Sequence, residues 1–197
     1  MAFEIAPPRI ETERLVLAIP EPSAAGEMLA YQRRNKAHFA RWTPPRPAAF
    51  DTADYWERRI AGWREECRAG RSVRLAFTLR DAPDRIIGTC ALSEIVLGAF
   101  RACLLGYGID HAHEGRGLMR EAVEAAVRFA FETLELHRVM ANYMPANERS
   151  GALLKRLGFV VEGYARDYLF IDGAFRDHVL TAKTNHALTN AAALCST

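Results

Sequence analysis

The segment that most constrains the fold is an apolar strand that passes through a glycine-containing loop into a long amphipathic helix. The strand is predicted over Arg101 to Asp110, the loop contains Gly115-Arg116-Gly117, and the helix runs from Leu118 to about Leu134. Apolar residues recur at helical spacing on one face of that helix, and charged residues fall largely on the other. A helix with one apolar face must pack on another layer, so this segment predicts a layered α/β domain.

The loop before this helix has the properties of an anion-binding site. The first N–H groups of a helix have no partner within it, and they lie at the positive end of its dipole. Glycine lets a phosphate approach such groups closely. The loop matches neither a dinucleotide-binding fingerprint, because Arg120 stands where a small residue is needed, nor a nucleoside-triphosphate loop. Gly106 and Gly108 interrupt the preceding strand and predict a bulge, or a close approach of something else, there.

The rest of the chain predicts six more strands and three more helices. The strands are predicted at 14–19, 73–79, 86–95, 137–143, 162–171 and 175–181, and the helices at 24–34, 53–70 and 149–157. Ser23 is the predicted cap of the first helix, and Thr43 to Pro47, with three prolines, is a predicted loop. Turns are predicted at Asp81 to Asp84 and at Asp172-Gly173, the second as a hairpin.

Composition narrows the class of protein. A chain of 197 residues, 50% hydrophobic and 25% charged, is typical of one soluble globular domain, which we expect over residues 1–184 with a frayed tail at 185–197. A net charge of +2 argues against a polybasic protein that binds nucleic acid or a membrane surface. Four cysteines without ligand spacing predict no metal site and no disulfide framework. With no apolar run of spanning length and no signal segment at Met1, we expect a cytoplasmic protein.

A second motif lies after the strand at 137–143. Asn147 stands where it caps the next helix, and Gly158 stands where that helix ends. Capping alone explains both residues. The order of the two motifs resembles the GCN5-related N-acetyltransferase superfamily, over residues 9–183. Gly115-Arg116-Gly117 is similar to its acetyl-CoA pyrophosphate loop, and Asn147-x-x-Ser150 to Leu157-Gly158-Phe159 is similar to its next motif.

Three other runs resemble the branch that acetylates the N-terminal alanine of ribosomal proteins: Glu11 to Leu15, His137 to Pro145 and Asp167 to Gly173. The chain departs from the superfamily pattern at two positions. Ala112 stands where Gln or Arg is frequent, which removes a side-chain contact to phosphate, and Leu104 stands where a carboxylate is frequent, which removes the usual base.

The resemblance implies a mixed α/β fold: about seven mostly antiparallel strands, flanked by helices, with the fourth and fifth strands splayed apart. It implies acetyl-CoA as co-substrate and no metal. The pantetheine arm would add to the fourth strand, with the N–H near Ile109 directed at the acetyl oxygen. The implied coenzyme-binding residues are Tyr107, Gly108, Ile109, Asp110, Gly115, Arg116, Gly117, Leu118, Met119, Arg120, Asn147 and Ser150.

For the chemistry, the resemblance places Ser150 beside the coenzyme sulfur as proton donor, with Tyr168 or Tyr164 as alternatives. From its position alone, Ser150 is equally a capping hydroxyl. The candidate bases are Glu94, Asp167 and His111. Because an α-amine has a pKa near 8 and a lysine amine near 10.4, the missing strong base favours an N-terminal acceptor.

We expect the acceptor groove between the first two helices and the last hairpin. Four aromatic residues fall in the helical part of that region, most of them predicted as core: Trp42, Tyr55, Trp56 and Trp63. The basic run Arg33-Arg34-x-Lys36 is a predicted solvated face, with contact to ribosomal RNA as the alternative.

The expected activity is acetylation of a ribosomal-protein N-terminus, by direct attack in a ternary complex. The alternatives are acetylation of a small amine or antibiotic, and a non-catalytic coenzyme-binding module in ribosome assembly. The expected partners are the ribosomal protein and the small ribosomal subunit, without sequence-specific nucleic acid or a membrane. The sequence allows a monomer or a homodimer.

Overall fold

The computed structural model describes residues 5–188, which form one eight-stranded sheet with helices packed on it. The strands are β1 (Arg9–Glu11), β2 (Leu15–Ala18), β3 (Val73–Leu79), β4 (Ala82–Val96), β5 (Ala102–Ile109), β6 (Arg138–Tyr143), β7 (Val160–Ile171) and β8 (Ala174–Thr184). The helices are α1 (Ala25–Arg34), α2 (Lys36–Ala40), α3 (Ala53–Arg68), α4 (Leu118–Glu132) and α5 (Glu148–Arg156). The strand order is β1-β2-β3-β4-β5-β6-β8-β7, and every neighbouring pair is antiparallel except β5–β6.

The mixed α/β fold is confirmed, with the three-residue β1 as an additional edge strand. The hairpin turn is confirmed at Asp172 and Gly173, which both have positive φ, as the tight turn between two twisted strands requires. The turn predicted at Asp81 to Asp84 lies slightly earlier, at Arg80 and Asp81, because β4 begins at Ala82, which already pairs with Leu79.

The beginning of α1 also differs from the prediction. Ser23 does not cap the helix, because it lies in a 3-10 turn over Pro22–Ala24, and α1 begins after Ala24 without a side-chain cap. The short helix α2 was not predicted, since five residues are too few to show a helical period.

The fourth and fifth predicted strands, β5 and β6, splay as expected. They pair in parallel at three positions only, and the last pair is Leu104 with Met140. The predicted bulge at Gly106 and Gly108 is wrong, because the β4–β5 register is continuous from Ile109 back to Leu104. Both glycines lie inside this regular ladder, and the register shift comes later, between Ser93 and Val96.

The core lies between the sheet and the two longest helices. The apolar faces of α4 and α3 are buried. Of the four aromatic residues considered for the core, Trp56 and Trp63 are buried, and Trp42 and Tyr55 are half-buried. The side chains that are buried on these two helices are Trp56, Ile60, Trp63, Cys67, Leu118, Ala122, Val123, Ala125, Ala126, Val127 and Ala130. Within the described range, no helix has both the length and the apolar character that crossing a membrane requires.

The chain is held in place beyond the end of β8. The N–H of Asn185 donates to the carbonyl oxygen of His137 over 2.7 Å, at the first position of the predicted tail. Residues 189–197 of that tail, with Cys195, lie outside the described residues. The other three cysteines, Cys67, Cys90 and Cys103, are buried and form no disulfide.

Candidate active site

One edge of β5 is open beyond Leu104, because β6 has separated from it. The N–H of Asp110 donates to the carbonyl oxygen of Ile87 on β4. Hydrogen-bonded and non-hydrogen-bonded positions alternate along an antiparallel pair, so the main-chain groups of Tyr107 and Ile109 point away from β4, into the gap. An extended ligand can therefore pair with β5 here as an added strand.

The loop after β5 leads to the second half of the site. Gly115 and Gly117 have φ of 73° and 77°, in the left-handed region that favours glycine, and both are exposed. Gly117 is the N-cap of α4 and provides no side-chain cap. The first intrahelical bond runs from the N–H of Glu121 to the carbonyl of Gly117, so the N–H groups of residues 118–120 lack a helical acceptor. These N–H groups are the donors that the predicted anion cradle requires.

The N-terminal segment anchors the far end of this loop. Arg14 donates from Nη1 to the carbonyl oxygen of Arg116 over 3.0 Å, and its Nε lies 2.7 Å from Oε2 of Glu121. Thr12 donates to Oε1 of the same glutamate over 2.6 Å. Burial raises the pKa of Glu121, but the bonds from Thr12 and Arg14 outweigh it and lower that pKa. The first turn of α4 is thus tied to the chain before β2.

Helix α1 anchors the near end of the loop. Tyr31 donates its hydroxyl to the carbonyl of Gly108 over 3.2 Å, and Asn35 accepts the N–H of His111 at Oδ1 over 3.1 Å. Between them, Nε of Arg34 lies 2.8 Å from Oδ2 of Asp110. The side chains of Tyr31, Asn35 and Asp110 are buried. The strand end that would receive the ligand is therefore fixed before any ligand arrives.

Burial raises the pKa of Asp110, but hydrogen bonds from Arg34 and from the N–H of Ala112 outweigh it, so the pKa in the folded protein is lowered. A lowered folded pKa stabilises the protein at pH values above the unfolded pKa of about 3.9, and this stability is lost as the pH falls through the lower folded value. We expect Asp110→Asn to destabilise the protein by about 1–3 kcal/mol at pH 7.

The difference between wild type and Asp110→Asn should shrink below about pH 4, where the wild-type carboxylate also becomes protonated. Urea unfolding at a series of pH values measures this difference. A gap that stays constant down to pH 2.5 would contradict a role for the carboxylate charge.

Folding brings Tyr107 and Ser150 into contact on one face of the sheet. Their hydroxyl oxygens are 2.7 Å apart, and burial raises the pKa of Tyr107 to about 12. Ser150 stands in the first turn of α5, where its N–H donates to Oδ1 of Asn147 over 3.2 Å. The predicted cap at Asn147 is confirmed, and so is the helix end at Gly158, which has φ of 81°. Sequence reasoning missed the Tyr107–Ser150 pair, since no local pattern links two residues so far apart.

Tyr168 lies on the opposite face. A Cβ on Gly151 of α5 would touch the ring of Tyr143, so Tyr143 faces α5. Its neighbour Asn142 must face the other way, and Nδ2 of Asn142 lies 3.1 Å from the hydroxyl of Tyr168. Ser150 and Tyr168, treated from the sequence as alternatives for one role, are thus separated by the sheet.

None of the three candidate bases contacts the Tyr107–Ser150 pair. Glu94 is exposed at the register shift of β4, with φ of 51°, and its side chain has no hydrogen bond or ion pair within the described residues. Asp167 also has positive φ, and its N–H donates to Oδ1 of Asp177 over 2.9 Å. His111 lies with Nδ1 3.4 Å from Asn35.

Two further sequence features have structural explanations. Tyr164, the other alternative donor, is exposed and donates to Asp177 over 2.7 Å. In the basic run, Arg33 pairs with Asp51 and Arg34 pairs with Asp110, so these two side chains are engaged within the protein. The part of the chain that the structure describes contains no cluster of His, Cys, Asp or Glu that could hold a metal ion.

Comparisons with known proteins agree with this geometry. Residues 14–160 match the family described as acetyltransferase (GNAT) domain. The chain is 44% identical over 177 residues to the [ribosomal protein uS5]-alanine N-acetyltransferase of Escherichia coli K12, covering 89% of this chain and 90% of that protein.

Two solved structures are similar over almost their whole length. The ribosomal-protein-S5-alanine acetyltransferase of Vibrio fischeri is 36% identical with a TM-score of 0.88, over 93% of this chain and 100% of that one. RimJ of Mycobacterium smegmatis, in complex with CoA-disulfide, is 27% identical with a TM-score of 0.83, over 98% of this chain and 92% of that one.

Proposed function

Because this chain belongs to the GNAT acetyltransferase family, we propose that it transfers an acetyl group from acetyl-CoA to the N-terminal α-amine of a ribosomal protein that begins with alanine. The observation that carries this proposal is the nearly full-length similarity to the uS5-alanine N-acetyltransferase of Escherichia coli. The open edge of β5 and the anion cradle before α4 support it, since the edge suits the pantetheine arm of the coenzyme and the cradle suits its diphosphate.

The cradle would hold the diphosphate of the coenzyme. The free N–H groups of Leu118, Met119 and Arg120 provide donors at the positive end of α4, and Gly115 and Gly117 leave room for the anion. The anchors from Arg14 and from α1 keep this loop in position, which lowers the cost of ordering it when the coenzyme binds.

The gap beside β5 would hold the pantetheine arm. The main-chain groups of Tyr107 and Ile109 point into this gap and offer the pairing that an added strand needs. When bound, acetyl-CoA supplies the acetyl group as a reactive thioester. The N–H of Ile109 would donate to the acetyl oxygen as negative charge develops there, and one such donor accounts for about 3 kcal/mol of a barrier.

Ser150 and Tyr107 would provide the proton for the leaving thiolate. Burial raises the pKa of Tyr107 to about 12, so its phenol stays protonated at neutral pH and can replace a proton that Ser150 gives up. A thiolate has a pKa of about 8.5 and needs only a weak donor.

On the other face of the sheet, Asn142 and Tyr168 would meet the incoming amine. Because an α-amine has a pKa of about 8, a useful fraction is already neutral, and a weak acceptor for its proton is sufficient. We therefore propose no role as base for Glu94, Asp167 or His111. We place this chemistry in a single domain that acts in the cytoplasm, on the small ribosomal subunit or its free protein.

The test is mass spectrometry of ribosomal proteins after incubation with the enzyme and labelled acetyl-CoA. We expect one label on the N-terminal alanine of one small-subunit protein, with release of one equivalent of thiol. A boiled enzyme sample gives the chemical background. Transfer to a polyamine or another small amine instead, or coenzyme that stabilises the fold without being consumed, would contradict the proposal.

A further inference from the structure

Among the described residues, Arg46 has no anionic partner, and it lies in the proline-containing loop between α2 and α3. The loop sequence Pro44-Pro45-Arg46-Pro47 fixes the backbone on both sides of it. The guanidinium carbon lies 4.3 Å from the ring centre of Phe50 and 6.0 Å from that of Phe39. Within residues 5–188, its side chain makes no hydrogen bond and no ion pair, although it is partly buried.

The neighbouring arginines show what this position lacks. Arg33 has a carboxylate of Asp51 at 2.6 Å, and Arg34 has carboxylates of Glu27 and Asp110 at 3.0 and 2.8 Å. A guanidinium carries five N–H donors and no acceptor, and burying it without acceptors costs free energy. Burial accordingly lowers the pKa of Arg46, against the opposing influence of Tyr31 and Tyr55. Since residues 5–188 provide no anion here, a ligand is the natural source of one.

Arg46 stands next to the end of β5 where the acyl group would be presented. A Cβ on Gly108 would lie 3.5 Å from the ring of Phe39, and the guanidinium of Arg46 lies 6.0 Å from the centre of that same ring. Gly106, two residues earlier and therefore on the same face of β5, has no atom within 4 Å of the corresponding point. The face of β5 above Gly106, beside the gap, is thus open.

This is also the face that carries Tyr168. Leu104 shares the face of Gly106 and Gly108, and it pairs with Met140 of β6. Asn142, two residues after Met140, lies on that face as well and bonds to Tyr168. Arg46 therefore borders the face where the amine would attack, opposite the Tyr107–Ser150 pair.

We propose that Arg46 binds a carboxylate side chain in the first few residues of the acceptor polypeptide, so that the enzyme prefers N-termini followed by Asp or Glu. This inference rests on the proposed N-terminal acetylation. An arginine held by flanking prolines and two aromatic rings is ordered in advance, so little entropy is lost when the planar guanidinium meets a planar carboxylate. The acceptor would thus be fixed at two points: its α-amine at the gap and its carboxylate at Arg46.

The experiment compares four pairs of synthetic peptides that begin with alanine. Within a pair the peptides differ only by Glu or Gln at one position, and the pairs cover positions two to five. For wild type, we expect kcat/KM to be about 10- to 100-fold higher with Glu at the preferred position. Arg46→Gln should abolish this preference by lowering kcat/KM for the Glu peptide alone. Arg46→Lys should restore part of it, since the charge remains but the two-pronged geometry is lost.

Arg33→Gln is the matched control, because it removes a neighbouring arginine that already has a partner within the protein. It should keep the preference for Glu. Isothermal titration with CoA should give the same dissociation constant for wild type and Arg46→Gln, which shows that the variant is folded and that its loss concerns the acceptor.

Two results would overturn the inference, and they are distinguishable. Equal rates on Glu and Gln peptides at every position, or a preference that survives in Arg46→Gln, would remove the role of Arg46 while leaving N-terminal acetylation intact. If wild type acetylates no alanine peptide and no ribosomal protein at all, the proposed function fails, and this inference fails with it.

Discussion

Gly117→Val is expected to raise the dissociation constant of acetyl-CoA about 100-fold while the protein stays folded. Gly117 has φ of 77° at the start of α4, where a β-branched side chain is strained, and its Cβ would lie 3.5 Å from Nη2 of Arg14, the side chain that anchors this loop. A diphosphate would lose charge-assisted bonds to one or two of the free N–H groups of α4. Isothermal titration with CoA measures the loss directly.

Gly98→Val is the matched control for this substitution. Gly98 lies in the link between β4 and β5, and its φ of 68° makes the backbone strain of a valine similar to that at Gly117. No atom lies within 4 Å of the position of its Cβ, so the added side chain meets no neighbour there. Gly98 comes before β5 in the chain, whereas the loop that contains Gly115 and Gly117 comes after β5. We expect a similar decrease in thermal stability and an unchanged affinity for CoA. If the two variants bind CoA equally well, the loop is not the phosphate site.

Ser150→Ala is expected to lower kcat about 100-fold, the size of effect that a positioned proton donor contributes. The helix cap by Asn147 remains, because the side chain of Asn147 accepts the N–H of residue 150 and does not involve the hydroxyl. The dissociation constant of acetyl-CoA should change little. Thiol release, followed by a colorimetric reagent with saturating peptide, measures the chemical rate.

Two further variants separate proton donation from packing. Tyr107→Phe keeps the ring and removes the hydroxyl 2.7 Å from Ser150, so it should also lower kcat, by a smaller factor. Ser72→Ala removes a hydroxyl that bonds to Glu66 over 2.7 Å between α3 and β3, and it should leave kcat unchanged. Full activity of Ser150→Ala would contradict the role of Ser150 as proton donor and leave it only a structural role in the first turn of α5.

The parts of the site that are local in sequence were predictable. The strand, the glycine loop and α4 follow one another within about thirty residues, and each is specified by its own pattern of apolar residues and glycines. The caps at Asn147 and Gly158 are local for the same reason. Such features depend on backbone conformation over a few residues, which the residue types largely determine.

The parts that depend on docking could not be predicted. Tyr107 contacts Ser150, 43 positions away, and the N–H of His111 donates to Asn35, 76 positions away. Their geometry depends on how helices pack on the sheet, and no periodicity reports this. The glycines of β5 gave a wrong prediction for a related reason. They predicted a bulge, whereas the pairing of β5 with β4 is regular and it is β6, on the other side of β5, that separates from the strand.

The separation of β5 from β6 places an unpaired strand edge in the interior of a sheet rather than at its margin. Unpaired edges at a margin attract strands of other molecules and so promote aggregation. Here the opening lies between β5 and β6, with α1 on one face and α5 on the other, so it is less accessible to the sheet of a second molecule than a margin is. The unpaired N–H and C=O groups of β5 are thus available to a single extended ligand, with a lower risk of self-association than an unpaired strand at the margin of the sheet would have.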